Sequence, residues 1–217
     1  MTAGSSTIGA DIAPQHRGFA ADDLACARGG RLVFEALSFS LAPGDALVLR
    51  GPNGSGKSTL LRLLAGFLRP SAGGLAWDGE AMAADSAEHR TRLHFVGHAD
   101  PLKPLLTVAE NLAFAAGLAG CGEAVGPALA GFGLASMAAT PARFLSSGQR
   151  RRANLARLLT GGRPLWLLDE PGVGLDAANR GRLEAAIATH RAAGGLCLLA
   201  THGDVAVRDA YVLDFAD

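Results

Sequence analysis

The sequence predicts an α/β fold: a mostly parallel sheet covered by helices, with an antiparallel β subdomain at its N-terminal side and a helical lobe in the middle. Three observations carry that expectation. Short, apolar runs at Ala46 to Leu49, Leu165 to Leu168 and Leu196 to Ala200 read as strands buried on both faces. Segments with apolar residues at helical spacing lie between them, as a strand–helix alternation requires. Each run also ends on small or polar residues, at Gly51 to Thr59, Asp169-Glu170 and Thr201-His202, where a parallel sheet presents its chemistry.

Met1 to Arg17 is small, polar and aperiodic, and reads as a disordered tail ahead of a single domain spanning residues 18–217. Phe19 to Arg28 and Arg31 to Leu41 read as two strands joined by Gly29-Gly30. Pro43-Gly44-Asp45 turns the chain into the Ala46 strand. After Thr59, the residues Leu60, Leu63, Leu64, Phe67 and Leu68 form one helical face, ended by Pro70 to Gly74. Leu75 to Trp77 is a strand closed by Asp78-Gly79, and Leu93 to Val96 another, followed by a loop over Gly97 to Pro104. Thr107 with Glu110 forms a capping box, opening a helical lobe of about residues 98–160 in which Ser146 or Ser147 caps a further helix to about Thr160. Asp176 caps a helix to about Ala193 with Leu183 and Ile187 inward; a short helix over Asp204 to Arg208 and a strand over Tyr211 to Phe215 close the chain.

Composition excludes several classes. Lys plus Arg and Asp plus Glu both number 20, so there is no basic excess of the kind a nucleic-acid surface needs. No run of 18 apolar residues exists; the nearest, Ala124 to Ala139, is broken by Gly126, Pro127, Gly131 and Gly133. No basic segment followed by an apolar core opens the sequence, so no secretory signal is read. Cys26, Cys121 and Cys197 have no metal or disulfide spacing and read as reduced, mostly buried thiols.

Gly51-Pro52-Asn53-Gly54-Ser55-Gly56-Lys57-Ser58-Thr59 fits G-x-x-x-x-G-K-[ST], the phosphate-binding P-loop, in its required strand–loop–helix context. The glycines let backbone N–H groups approach phosphate oxygens, Lys57 supplies a charge to the outer phosphates, Ser58 a hydroxyl for Mg²⁺, and the helix start points its positive end at the same anion. Leu165 to Asp169 is an apolar strand ending in the carboxylate that holds Mg²⁺ in P-loop enzymes, usually through water. Glu170 follows, placed to take the proton of an attacking water. Leu145-Ser146-Ser147-Gly148-Gln149 forms a small-residue turn on an Arg-rich helix (Arg150, Arg151, Arg152, Arg157), which alone reads either as an anion site or as an N-cap followed by a solvated basic face.

Taken in order, these motifs, with Gly174-Leu175-Asp176 and His202 after them, resemble the ATP-binding domain of ABC transporters from about residue 19 to the end. The resemblance implies a P-loop NTPase fold with a helical ABC subdomain. It makes residues 145–149 the signature, with Ser147 where the family has Gly, and implies a head-to-tail pair of chains. Ser146, Gly148 and Gln149 of one copy then cover ATP held by the other copy's P-loop. It also makes Asp176 the D-loop residue linking the two sites and His202 the switch histidine at the γ-phosphate. Two positions depart from the pattern. His98 stands where the family has the Q-loop Gln, and could serve near Mg²⁺; Arg28 stands where an aromatic stacks on adenine, and a guanidinium can stack on a base.

Gly97-His98, Lys103, Leu106-Thr107, Glu110-Asn111-Leu112, Leu155-Ala156-Arg157-Leu158, Leu75 to Gly79 and Gly194-Gly195 resemble the cytochrome c maturation ATPases, the ATP-binding subunits of a haem-export complex. That likeness implies an ATP- and Mg²⁺-dependent ATPase held peripherally at the cytoplasmic face of the inner membrane. Its partners are a second copy of itself and separate integral membrane permease subunits, and not nucleic acid; the docking surface spans His98 to Lys103 and the neighbouring lobe. No Cys-x-x-Cys-His motif is present for haem to bind. The alternatives at this point are the ATPase of another small ABC transporter, a soluble non-transport ABC ATPase, or a nucleotide-binding subunit without turnover.

Overall fold

A computed structural model of the chain describes residues 7–8, 17–118 and 124–215. Two five-stranded sheets organise it. The first holds β1 (Thr7–Ile8), β2 (Phe19–Arg28), β3 (Arg31–Leu41), β5 (Ala72–Trp77) and β6 (Glu80–Met82) in the order β1-β3-β2-β5-β6. Apart from the parallel β1–β3 pair, its ladders are antiparallel. The second holds β4 (Ala46–Arg50), β7 (Leu93–Val96), β8 (Leu165–Asp169), β9 (Leu196–Ala200) and β10 (Tyr211–Asp214), all parallel, in the order β10-β4-β9-β8-β7. The antiparallel subdomain and the parallel core are the two expected from sequence.

Strand alternation explains why the core runs are wholly apolar. Leu47, Leu49, Leu165, Leu167, Leu196 and Leu198 point to one face, where they pack on α1 (Lys57–Leu64) and the first sheet. Val48, Trp166, Leu168, Cys197 and Leu199 point to the other. There they meet the lobe helices α3 (Val108–Leu118), α4 (Val125–Gly131) and α5 (Ser147–Ala156) and the long α6 (Ala177–Ala192). With both faces covered, no position in β8 or β9 is free to be polar, apart from Asp169 at the edge. Leu60, Leu61, Leu63 and Leu64 of α1 are fully buried, each worth about 2 kcal/mol of transfer free energy.

The caps form as the sequence expects. Thr107 Oγ1 accepts from the Glu110 amide while Glu110 Oε2 accepts from the Thr107 amide; Asp176 accepts from the Asn179 amide at the start of α6. Several expectations are corrected. α1 stops at Leu64 because Gly66 turns with φ +77°, so Phe67 is exposed and not part of an inward face. The helix from Ser147 ends at Ala156 and continues as a 3₁₀ turn over Arg157–Thr160. Asp204 to Arg208 is not helical: the segment is tied down instead by Thr201 Oγ1 donating to Asp204 and by the Ala206 amide donating to Glu184. Two short elements were not anticipated, the β6 strand and α2 (Ala87–Thr91), capped by Ser86. Within the segment expected as a tail, Thr7 and Ile8 pair with Ser38 and Phe39. Residues 1–6 and 9–16 and Cys121 lie outside the described residues; Cys26 and Cys197 are buried, free thiols.

Three histidines are built into this core. His89 stacks on Phe19 and its Nε2 lies 2.6 Å from the Leu64 carbonyl. His190 stacks on Trp166 with ring centroids 3.9 Å apart; a Cβ on Gly195 would sit 2.2 Å from its ring, so the glycine is what admits the imidazole. His94 is buried near Arg163 and its pKa is pushed down to about 3, mainly by desolvation; burial also lowers His89 and His190. An unfolded histidine titrates near 6.5, so the unfolded chain takes up protons first on acidification. This part of the stability is therefore complete above about pH 6.5 and is lost as pH falls toward 3. Each histidine is expected to contribute up to about 1.4 kcal/mol per pH unit. Thermal melts of His94→Asn between pH 6.5 and 5 should show a shallower pH slope than the wild-type chain; identical slopes would contradict the assignment.

Candidate functional site

The parallel register of the second sheet puts the C-terminal ends of β4, β9, β8 and β7 along one edge. The four loops that leave this edge are Gly51 to Gly56, Thr201-His202, Glu170 and Gly97-His98. Open α/β sheets bind ligands outside these strand ends. Residues separated by more than a hundred positions are thereby neighbours.

The glycine loop is shaped by close approach. Gly51 (φ +137°) leaves no room for a side chain, since a Cβ would lie 2.6 Å from the Phe215 carbonyl; Gly56 (φ +112°) caps α1 without a side-chain hydrogen bond. The first amides of α1 are thus left to an anion. Lys57 is buried at its stem and donates Nζ to the carbonyls of Gly51 (2.7 Å) and Pro52 (2.8 Å), across the loop's mouth. Pro52, Asn53 and Gly54 are exposed, Ser55, Ser58 and Thr59 half-buried.

Ser58 Oγ donates to Asp169 Oδ1 at 2.9 Å. Asp169 is 1% exposed, yet its Oδ2 has no hydrogen-bond partner. His98 Nε2 stands 3.6 Å from that oxygen, beyond hydrogen-bond reach. A buried, unpaired carboxylate oxygen beside a serine hydroxyl is a hard-oxygen donor set suited to a divalent cation. Glu170 adopts φ +48°, which few non-glycine residues take, and its carboxylate Oε1 lies 3.4 Å from His202 Nε2. The structure therefore brings together Lys57, Ser58, Asp169, Glu170, His98 and His202.

The other residues singled out by sequence lie elsewhere. Ser146 and Ser147 are exposed at the start of α5. Gln149 spends its Oε1 on the Ser146 amide and its own amide on Ser146 Oγ, so it shapes this turn through a complete capping box. Gly148 lies in the first turn, and Asp176 is an exposed cap. Arg28 is exposed at the β2–β3 turn, opposite Arg31; two residues further along β3, Val33 packs against Gly56. Among the described residues no hydrogen bond or ion pair joins any of these six to the cluster.

One residue escaped the sequence reading. Arg151, grouped there with a solvated basic face, is 6% exposed and donates to the carbonyls of Gly97 and Glu170. Its spacing from Leu155 and Leu158, four and seven residues on, was the available signal that it shares the buried face.

Comparison with known proteins agrees with this geometry. A family model described as ABC transporter matches residues 34–173. The cytochrome c biogenesis ATP-binding export protein CcmA of Rhodospirillum rubrum is 58% identical over 90% of this chain and 84% of its own length. That of Paramagnetospirillum magneticum is 57% identical over 86% and 88%. A solved ATP-binding subunit of an ABC transporter superposes with a TM-score of 0.77 at 26% identity, covering 85% of this chain and 79% of its own. An ABC transporter ATP-binding protein from Pyrococcus furiosus, at 20% identity, shares the fold with a TM-score of 0.79 over 91% of this chain and 96% of its own. This chain belongs to the ABC transporter family and, within it, to the group of the cytochrome c biogenesis ATP-binding export proteins.

Proposed function

We propose that this chain is the ATP-hydrolysing subunit of an export complex that serves cytochrome c biogenesis, with haem delivery as its purpose. The observation that carries the chemistry is the convergence of Lys57, Ser58, Asp169, Glu170 and His202 on one sheet edge. The loop amides of residues 54–59 and the Lys57 ammonium hold the outer phosphates of ATP. Ser58 and the free Oδ2 of Asp169 fit Mg²⁺, which, when bound, neutralises charge developing on the phosphate oxygens. Glu170 takes the proton of the attacking water, and His202 Nε2, beside Glu170, faces the transferred phosphoryl group. Arg28 stacks on the base.

The exposed turn of Ser146 to Gly148 is the part that acts on a second copy. In a head-to-tail pair it covers ATP seated in the twin's P-loop, and Asp176 links the two sites. The membrane is reached through separate subunits, since no helix among the described residues is long and apolar enough to cross it. Their docking face is a groove of about 620 Å³ between the β7 edge and the lobe, lined by Arg62, Phe67, His98, Pro101, Leu118 and Arg163. The chain itself sits peripherally at the cytoplasmic face of the inner membrane.

Purification from membranes tests this reading: the chain should bring down integral membrane partners, and co-sedimentation with ribosomes or DNA in their place would overturn it. His98→Gln is expected to leave the ATP dissociation constant within about threefold and to change turnover stimulated by the membrane partners. A tenfold or larger loss of ATP affinity, measured by nucleotide titration, would put His98 at the metal.

A further inference from the structure

We propose that Arg151 is a positioning residue for hydrolysis: its guanidinium locks the backbone at Glu170 to the loop over residues 97–100, so that the place of that loop sets the aim of the Glu170 carboxylate. The inference rests on the reading of Glu170 as the group that activates water.

The geometry is a fork between two loops. Arg151 Nη1 donates to the Gly97 carbonyl at 2.8 Å. Nη2 donates to the Glu170 carbonyl at 2.7 Å and lies 3.4 Å from that of Asp169. Asp100 Oδ1 stands 3.7 Å from Nη1 and accepts from Asn154 Nδ2, which ties the far end of the same loop to α5. Only a planar, multi-donor cation spans two carbonyls of different segments in this way. A lysine ammonium is a point charge and reaches them less rigidly.

What Arg151 holds is under strain. Glu170 sits at φ +48°, a conformation that persists in non-glycine residues only when the surroundings over-determine it. Its amide donates to Ala200 O at the end of β9, and its carbonyl accepts from Val173 N (3.3 Å) and, more closely, from Arg151. The rotation that carries the carboxylate toward His202 is therefore fixed from both sides of one residue. Gly97, at the other end of the fork, is hemmed in by Phe95, whose ring a Cβ there would meet at 2.9 Å, and is followed by His98, whose Nε2 lies 3.6 Å from the free oxygen of Asp169.

Stability alone does not call for this residue. Burial disfavours the charge of Arg151, opposed first by Asp100 and then by Asp169 and Glu170, and its Nε is buried without a partner. An apolar side chain on this face of α5, in line with Leu155 and Leu158, would avoid both costs. Arg151 also lies one turn beyond the exposed Ser146-Ser147 start of α5, so the fork and that turn are carried on the same helix.

A double-mutant cycle on the full chain tests the proposal. Arg151→Gln should lower kcat about 10–100-fold, the cost of a small misplacement of a reacting group, while ATP affinity stays within about twofold by titration with a fluorescent ATP analogue. Arg151→Lys should recover part of the loss. On a Glu170→Gln background, followed by single-turnover hydrolysis of radiolabelled ATP, Arg151→Gln should cause no further loss, because the group it aims is already gone. The same fold-loss on both backgrounds, ATP affinity falling in step with kcat, or wild-type turnover by Arg151→Gln would each overturn it. If Arg151→Gln does not fold, the cycle is run with Arg151→Lys under the same criteria. Failure of the underlying assignment looks different: Glu170→Gln alone then keeps normal turnover.

Discussion

Glu170→Gln is expected to lower ATP turnover about 10²–10⁴-fold, the usual contribution of a positioned general base. ATP binding should survive, because the proposed phosphate site is the 51–59 loop and Lys57, and the Lys57 contacts do not include Glu170. The amide is close to isosteric and keeps the Glu170 main chain, so its amide bond to Ala200 and its carbonyl bond to Arg151 are undisturbed. What is removed is the basic oxygen that sits 3.4 Å from His202 Nε2. Because chemistry stops and binding does not, an ATP-loaded pair of chains should accumulate, visible by size-exclusion chromatography in ATP. Turnover at the wild-type rate would remove Glu170 from its role.

Lys57→Ala is expected to abolish hydrolysis, with kcat/KM falling by a factor of about 10³ or more, comparable to removing one preorganised charge from a transition state. The reason is local. Lys57 is 5% exposed, and its ammonium is already held over the loop by two carbonyls, so on the proposed reading it is positioned in advance for the phosphates. Alanine keeps the helix start, and α1 remains packed through Leu60, Leu61, Leu63 and Leu64. A thermal melt should therefore stay within a few degrees of wild type while steady-state turnover disappears. Undiminished turnover would show that the loop is not the phosphate site.

Most of this was legible before any coordinates. The strands could be read because burial on both faces leaves only apolar residues, and the glycine loop because a strand, three glycines and Lys57-Ser58 occur in an order with few other uses. The caps at Thr107, Ser146 and Asp176 were legible because their hydrogen bonds are local. What was missed depends on contacts that spacing does not encode. The helix expected through Leu68 is ended by the left-handed turn at Gly66, where the distant Ala84 carbonyl leaves no room for a side chain. The helix expected over Asp204 to Arg208 loses to side-chain bonds from Thr201 and Glu184. The strained Glu170, and what the buried Arg151 holds, are visible only once α5 lies against the ends of β7 and β8; for the burial of Arg151 the sequence offered only its spacing from Leu155 and Leu158.

The sandwich between two copies is the centre of the account, and nucleotide-dependent cross-linking tests it most directly. Asn53 and Ser147 are both exposed, so a cysteine at either position is open to reagent, whereas Cys26 and Cys197 are buried; the third native cysteine, Cys121, is replaced by Ser in both chains. A chain carrying Asn53→Cys and another carrying Ser147→Cys, both with Glu170→Gln, are mixed and treated with a short bismaleimide. The account predicts a cross-linked pair containing one of each chain, formed with ATP and not with ADP. No such pair, or the same yield without ATP, would contradict it.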